Sequence, residues 1–197
     1  MSPNSVLKKR LSLISLGLAL AITLMPTSFP APAHAEDGIT RLKATLPVQW
    51  IATQICAQGD TSCSTCINQN GYYVQAQGLA DTTIGPLFVQ LSKCWIPYDG
   101  QFGTYSGTLT TTAPNGKDSL TWAYSGKNDA APDFYGFQPF SGTLTITAGT
   151  GKFAGARGSA SFTAAGPPSF TAGPSPIQFA GTAFYYIQGR VELTSSN

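Results

Sequence analysis

The chain has 197 residues, 11 basic against 9 acidic side chains, a formal charge of +2 and only 10% charged residues. Three of the basic residues (Lys8, Lys9 and Arg10) and the single histidine, His34, fall within the first 35 positions, which leaves 8 basic against 9 acidic groups, a net charge of −1, and no imidazole beyond them. That remainder lacks the clustered Lys/Arg stripe a phosphate backbone demands, which disfavours nucleic acid, and the want of imidazole excludes Ser-His-Asp hydrolysis, Cys-His catalysis and histidine metal sites.

The N-terminal segment has the layout of an export signal. Lys8, Lys9 and Arg10 make a basic start, residues 11–25 are largely apolar, and a proline-bearing tail ends in Ala33-His34-Ala35, the small-x-small pattern of a cleavage site. Cleavage is predicted after Ala35. The apolar run is shorter than the roughly 20 residues that span a bilayer, and no cysteine stands at the cut to carry a lipid. Residues 36–197 then suit one domain, placed in the periplasm or outside the cell. Abundant Gly, Thr, Ser and aromatic residues point to strands and turns.

A first extended segment covers residues 39–55, with Leu42, Ala44 and Leu46 alternating against Arg41, Lys43 and Thr45. Pro47 removes a ladder donor and predicts a bulge or an edge. A cysteine-bearing loop, 56–70, leads to a second strand at 72–79 and a turn at 81–86. Leu87, Val89 and Leu91 share one face of a third strand that ends near Cys94 and Trp95. A fourth strand covers 102–112. Pro114-Asn-Gly-Lys is a hairpin signal, because Asn and Gly tolerate positive φ. A fifth strand sets Leu120, Trp122 and Tyr124 on one side, and residues 125–136 read as a loop. Phe140, Gly142, Leu144 and Ile146 then alternate with Ser141, Thr143, Thr145 and Thr147, Gly149 to Phe153 reads as a tight reversal, and Ala156, Gly158, Ala160 and Phe162 share a face of the return strand. A proline-rich connection, 166–176, precedes a last strand at 179–193.

In that last strand Gly181, Ala183 and Gly189 interleave with Tyr185, Ile187 and Val191. Small residues alternating with large ones suit the tapered interior of a closed barrel of about eight antiparallel strands. A sandwich of two sheets is the alternative. Strands running up and down in order would gather the short turns at one end and the elaborate connections at the other. That second end, the mouth, would hold Trp95, Tyr98, Phe134, Tyr135, Phe137 and Phe170, aromatic faces suited to an apolar ligand or a sugar, or to plugging the barrel.

The four cysteines, Cys56, Cys63, Cys66 and Cys94, read as two disulfides in an exported protein. Cys94 would end the third strand at the mouth, so the reading leans to Cys66 with Cys94 and Cys56 with Cys63, although four cysteines permit three pairings. Cys63-Ser-Thr-Cys66 lacks the βαβ setting of a redox motif, and an oxidising compartment argues against zinc. Asp81, Asp99, Asp118, Asp129 and Asp133 sit beside turn residues, where solvation and turn formation account for them. No catalytic residue, metal or cofactor is predicted.

The hairpin GTGKFAGARGSASF, preceded by SGTLTIT and followed by FAGTAFYYIQG, resembles the glycine-turn hairpin of the allene oxide cyclase and dirigent-like barrels, and is similar to small exported bacterial barrels of that type. The resemblance covers residues 141–162 well and 72–124 weakly. It implies an eight-stranded antiparallel barrel, often a homo-oligomer, that binds hydrophobic compounds in or near its lumen. The acidic and arginine residues tied to cyclisation or radical coupling in plant members have no match here. The expected function is therefore a non-enzymatic exported barrel that binds a small apolar or aromatic ligand or serves as an envelope structural module. The alternatives are a dirigent-like or cyclase-like enzyme, for which a lumenal Asp, Glu or Arg would speak, and carbohydrate binding on exposed mouth aromatics.

Overall fold

Alternating burial runs along the strands of the computed structural model, which describes residues 38–96, 103–131, 137–166, 168–169 and 178–193. The elements are β1 (Ile39–Thr53), α1 (Thr61–Asn68), β2 (Tyr72–Thr82), β3 (Leu87–Ile96), β4 (Thr104–Thr112), β5 (Ser119–Asn128), β6 (Gln138–Thr150), a single 3₁₀ turn (Gly151–Phe153), β7 (Arg157–Gly166), β8 (Pro168–Ser169) and β9 (Gln178–Glu192). Strands β1 to β7 pair antiparallel in chain order, β7 pairs with β9, and β9 returns to β1 from Ile39↔Glu192 to Thr53↔Gln178. The two residues of β8 keep the register of β7 against β9, so β8 prolongs β7 and eight strands close the barrel. No open sandwich edge remains among these strands, which removes the template for unwanted pairing.

One face of each strand turns inward. Leu42, Leu46, Val89, Leu91, Leu144 and Ile187 are among the buried residues of a single apolar cluster, while Arg41, Lys43, Gln90 and Thr145 face out. The exterior is not uniformly polar: Leu79 pairs with Phe88 across β2 and β3, and both stand exposed, as does Phe184 opposite Pro47. Within the lumen, Trp122 Nε1 donates to Thr111 Oγ1 at 3.2 Å, both residues being buried. A Thr111→Val variant keeps the shape and leaves that donor unpaired, so thermal unfolding is expected to show a loss of about 1–3 kcal/mol.

Several expectations need correction. Pro47 makes neither a bulge nor an edge: β1 pairs continuously with β9, and its pairing with β2 lapses over Leu46 and Pro47, then resumes at Val48↔Gly78 in unchanged register. The missing proline N–H removes ladder bonding without shifting the strand. The cysteine segment contains a helix, α1, whose start is capped by the Asp60 carboxylate accepting from Cys63 N at 2.9 Å. The connection after β6 is no tight hairpin: the 3₁₀ turn lowers Phe153 into the barrel end, where it is 1% exposed. Strand β5 continues to Asn128, into the stretch read as a loop, and an irregularity at Thr121/Trp122 absorbs one extra residue of β6. The signal-peptide reading of residues 1–35 lies outside the described residues. No helix among those described is long and apolar enough to cross a membrane.

Candidate functional site

The two ends of the barrel differ as the strand order requires. Short turns join β2 to β3 and β4 to β5 at one end, and there the Asp118 carboxylate accepts from Lys152 N and from Asn115 Nδ2, which hold it below the usual carboxylate range. The other end gathers Thr53, Tyr72, Ile96, Thr104, Asn128, Gln138, Gly166 and Gln178. Here α1 is fastened by two disulfides, Cys56–Cys63 and Cys66–Cys94.

Inside this end lies a cavity of about 60 Å³, walled by Val48, Trp50, Val74, Leu91, Phe140 and Ala183. At roughly 30 Å³ of liquid per water, it holds about two waters or a short organic group. Its polar lining is sparse: Lys93, Trp95, Tyr105, Gln138 and Tyr185.

Lys93 is 6% exposed and is the one buried side chain with a formal charge among the described residues. Parity along β3 puts it there, because Leu87, Val89, Leu91 and Lys93 all point inward. Its neighbour on β2 is Val74 and its neighbour on β4 is Gly107. A Cβ at Gly107 would lie 2.1 Å from Ser92 O and 2.5 Å from Lys93 Cα, so glycine at 107 lets β4 run close against the β3 backbone at the lysine. The stem crosses toward the far strands. Lys93 Nζ donates to the Tyr124 and Tyr185 hydroxyls, both at 3.5 Å and so long for hydrogen bonds, and the two hydroxyls are 3.4 Å apart. Three ring faces surround the same nitrogen: Tyr105 at 3.8 Å, Phe140 at 4.9 Å and Tyr124 at 5.1 Å from the centroids.

No carboxylate among the described residues offsets this buried charge. Asp60, Asp81, Asp118, Asp129 and Glu192, the described acids, all lie outside the lumen. Ring faces attract a cation but do not replace its water shell, so burial pulls the Lys93 ammonium from 10.5 down to about 7. Burial pushes the Tyr105, Tyr124 and Tyr185 hydroxyls up, with Tyr185 adding to the rise at the first two. The phenols thus stay protonated over the range in which Lys93 changes state. Tyr105 is held by its hydroxyl donating to Asn128 Oδ1, deep in the wall.

No family model, curated protein or solved structure matches the chain.

Of the aromatics expected at the mouth, Trp95 lines the cavity. It packs against Tyr72 at 5.4 Å and Tyr105 at 6.3 Å, and its buried Nε1 has no acceptor among the described residues. Phe137 is 41% exposed and lines no part of this cavity. Tyr98, Phe134, Tyr135 and Phe170 lie outside the described residues. Sequence reasoning missed Lys93, Trp50, Tyr105 and Tyr185 as a group. The signal was parity alone: 93 and 95 continue the inward face of 87, 89 and 91. No three His, Cys, Asp or Glu side chains among the described residues are placed to hold a metal.

Proposed function

We propose that this chain is an exported, non-enzymatic barrel of the allene oxide cyclase and dirigent-like kind that binds a small apolar molecule bearing a hydrogen-bond acceptor. The observation that carries the reading is a buried, under-used donor on an apolar cavity: Lys93 Nζ, whose hydrogen bonds among the described residues are two long contacts. A buried donor left unpaired is costly, and an acceptor that reaches it recovers that cost on binding. The apolar walls would seat the rest of the molecule.

The absence of a lumenal carboxylate or arginine among the described residues favours binding over cyclase-like or dirigent-like chemistry. Trp95 faces the lumen with Tyr72 and Tyr105 packed against it, which does not favour a flat sugar platform. Small size limits affinity. At a ceiling of about 1.5 kcal/mol per heavy atom, a molecule of about four heavy atoms binds no more tightly than roughly 10⁻⁵–10⁻⁴ M.

Tryptophan emission reports on the site, because Trp50 and Trp95 line the cavity. Titration with propionamide, an acceptor that forms no covalent bond, is expected to change the emission saturably, and Trp95→Phe is expected to remove most of the change. Native mass spectrometry of protein purified from its own host supplies the second measurement. A flat titration with no co-purifying molecule would leave the envelope structural module as the better reading.

A further inference from the structure

We propose that Lys93 captures a short aliphatic aldehyde as an imine within the lumenal cavity. The proposal rests on the reading that this cavity takes a ligand, and it names the ligand's class and the bond that holds it.

The geometry carries it. Among the described residues Lys93 is the one lysine lining the cavity and no carboxylate faces its amine, while Val74 and Gly107 flank it on the neighbouring strands. A lysine desolvated in an apolar pocket is an activated amine nucleophile, and the lowered ammonium agrees with this. The Trp95 indole shares the wall of the same cavity with the lysine. The Tyr124 and Tyr185 hydroxyls, each 3.5 Å from Nζ, are the nearest groups able to relay a proton to or from that nitrogen. A cavity of about 60 Å³ selects a short chain.

The step balances without an oxidant or reductant. The nitrogen lone pair attacks the carbonyl carbon and forms the C–N bond, while the carbonyl π pair moves to oxygen. A proton passes from nitrogen to oxygen through a phenol, giving a carbinolamine. Protonation of its hydroxyl and cleavage of the C–O bond release water, and nitrogen gives up its last proton to leave a neutral imine. A covalent bond also explains how so small a cavity could retain its ligand, since contacts alone to a few heavy atoms hold weakly.

The test is reductive trapping. The purified, disulfide-bonded protein is incubated at pH 7 with propanal and cyanoborohydride, and propyl marks are mapped by peptide mass spectrometry. Lys43, Lys117, Lys127 and Lys152 are exposed and serve as internal references. The expected result is a mark on Lys93 exceeding each of these by about tenfold or more, as a desolvated amine should, and its suppression by competing propionamide. Lys93→Met, checked for native near-ultraviolet circular dichroism, should lose this mark and keep the others. Marking of Lys93 at or below the level of the exposed lysines overturns the proposal. If propionamide still changes the tryptophan emission in that case, imine capture fails and the binding reading stands; if it does not, both fall.

Discussion

Stability should rise by about 2–3 kcal/mol between pH 6 and pH 9, and Lys93→Met should abolish most of that rise. The folded state holds the Lys93 ammonium near 7 against an ordinary value of 10.5. Below pH 7 both folded and unfolded chains carry the proton, and the folded chain bears the whole cost of a buried charge. As pH climbs through 7 the folded chain releases its proton while the unfolded chain keeps it, so the unfolded state binds more protons and stability increases. The full span is worth about 5 kcal/mol at roughly 1.36 kcal/mol per pH unit. The Tyr105, Tyr124 and Tyr185 hydroxyls face the same nitrogen and act in the opposite sense at higher pH. Their folded values are raised, so the unfolded chain loses those protons first and stability falls above about pH 10. Guanidinium chloride midpoints at pH 6, 7, 8 and 9 measure the effect. Lys93→Met should also unfold later than the parent at pH 6, by on the order of 1–4 kcal/mol, because an apolar side chain of similar length carries no charge to desolvate. Parallel pH curves for parent and variant would show that the amine is not desolvated. A lysine that methionine would improve upon is poorly explained by packing, which is why it marks the site.

The barrel was legible because period-two alternation survives nearly unbroken along β1, β3, β7 and β9, and because the small-large taper of β9 fits closure onto β1. The site was less legible, for the same physical reason. Charge belongs on the solvent face, since lysine is rarely buried unpaired, and by composition the inward run of β3 ends at Leu91. Alternation alone carries it on through Lys93 to Trp95. Helix α1 was hidden by its composition: TSCSTCIN is poor in strong helix formers. What fixes it is the Asp60 cap and the spacing of Cys63 and Cys66, which three residues apart share one helix face. Local sequence puts Phe153 in a tight reversal, yet burying its aromatic ring at the barrel end outweighs that preference.

Replacing Cys66 and Cys94 together by serine is expected to cost about 3.5 kcal/mol, against about 2.5 kcal/mol for the Cys56 and Cys63 pair, if loop-closure entropy sets the scale. The ratio follows from the spans, 28 and 7 residues, that the two bridges close. The larger effect should also reach the cavity. Cys94 lies between Lys93 and Trp95 on β3, and the bridge ties this strand to α1 across Gly71, where a Cβ would come within 2.8 Å of both sulfurs. That close seat shows how tightly the helix, the start of β2 and the end of β3 are drawn together. Without the bridge, the end of β3 that carries the lysine and the indole is held by strand pairing and by the ring packing of Trp95. Denaturant unfolding should therefore place the Cys66/Cys94 variant below the Cys56/Cys63 variant, and only the former should weaken propionamide binding by severalfold. Equal losses from the two variants, with unchanged binding in both, would mean that the mouth owes its shape to the ladder and not to the bridge.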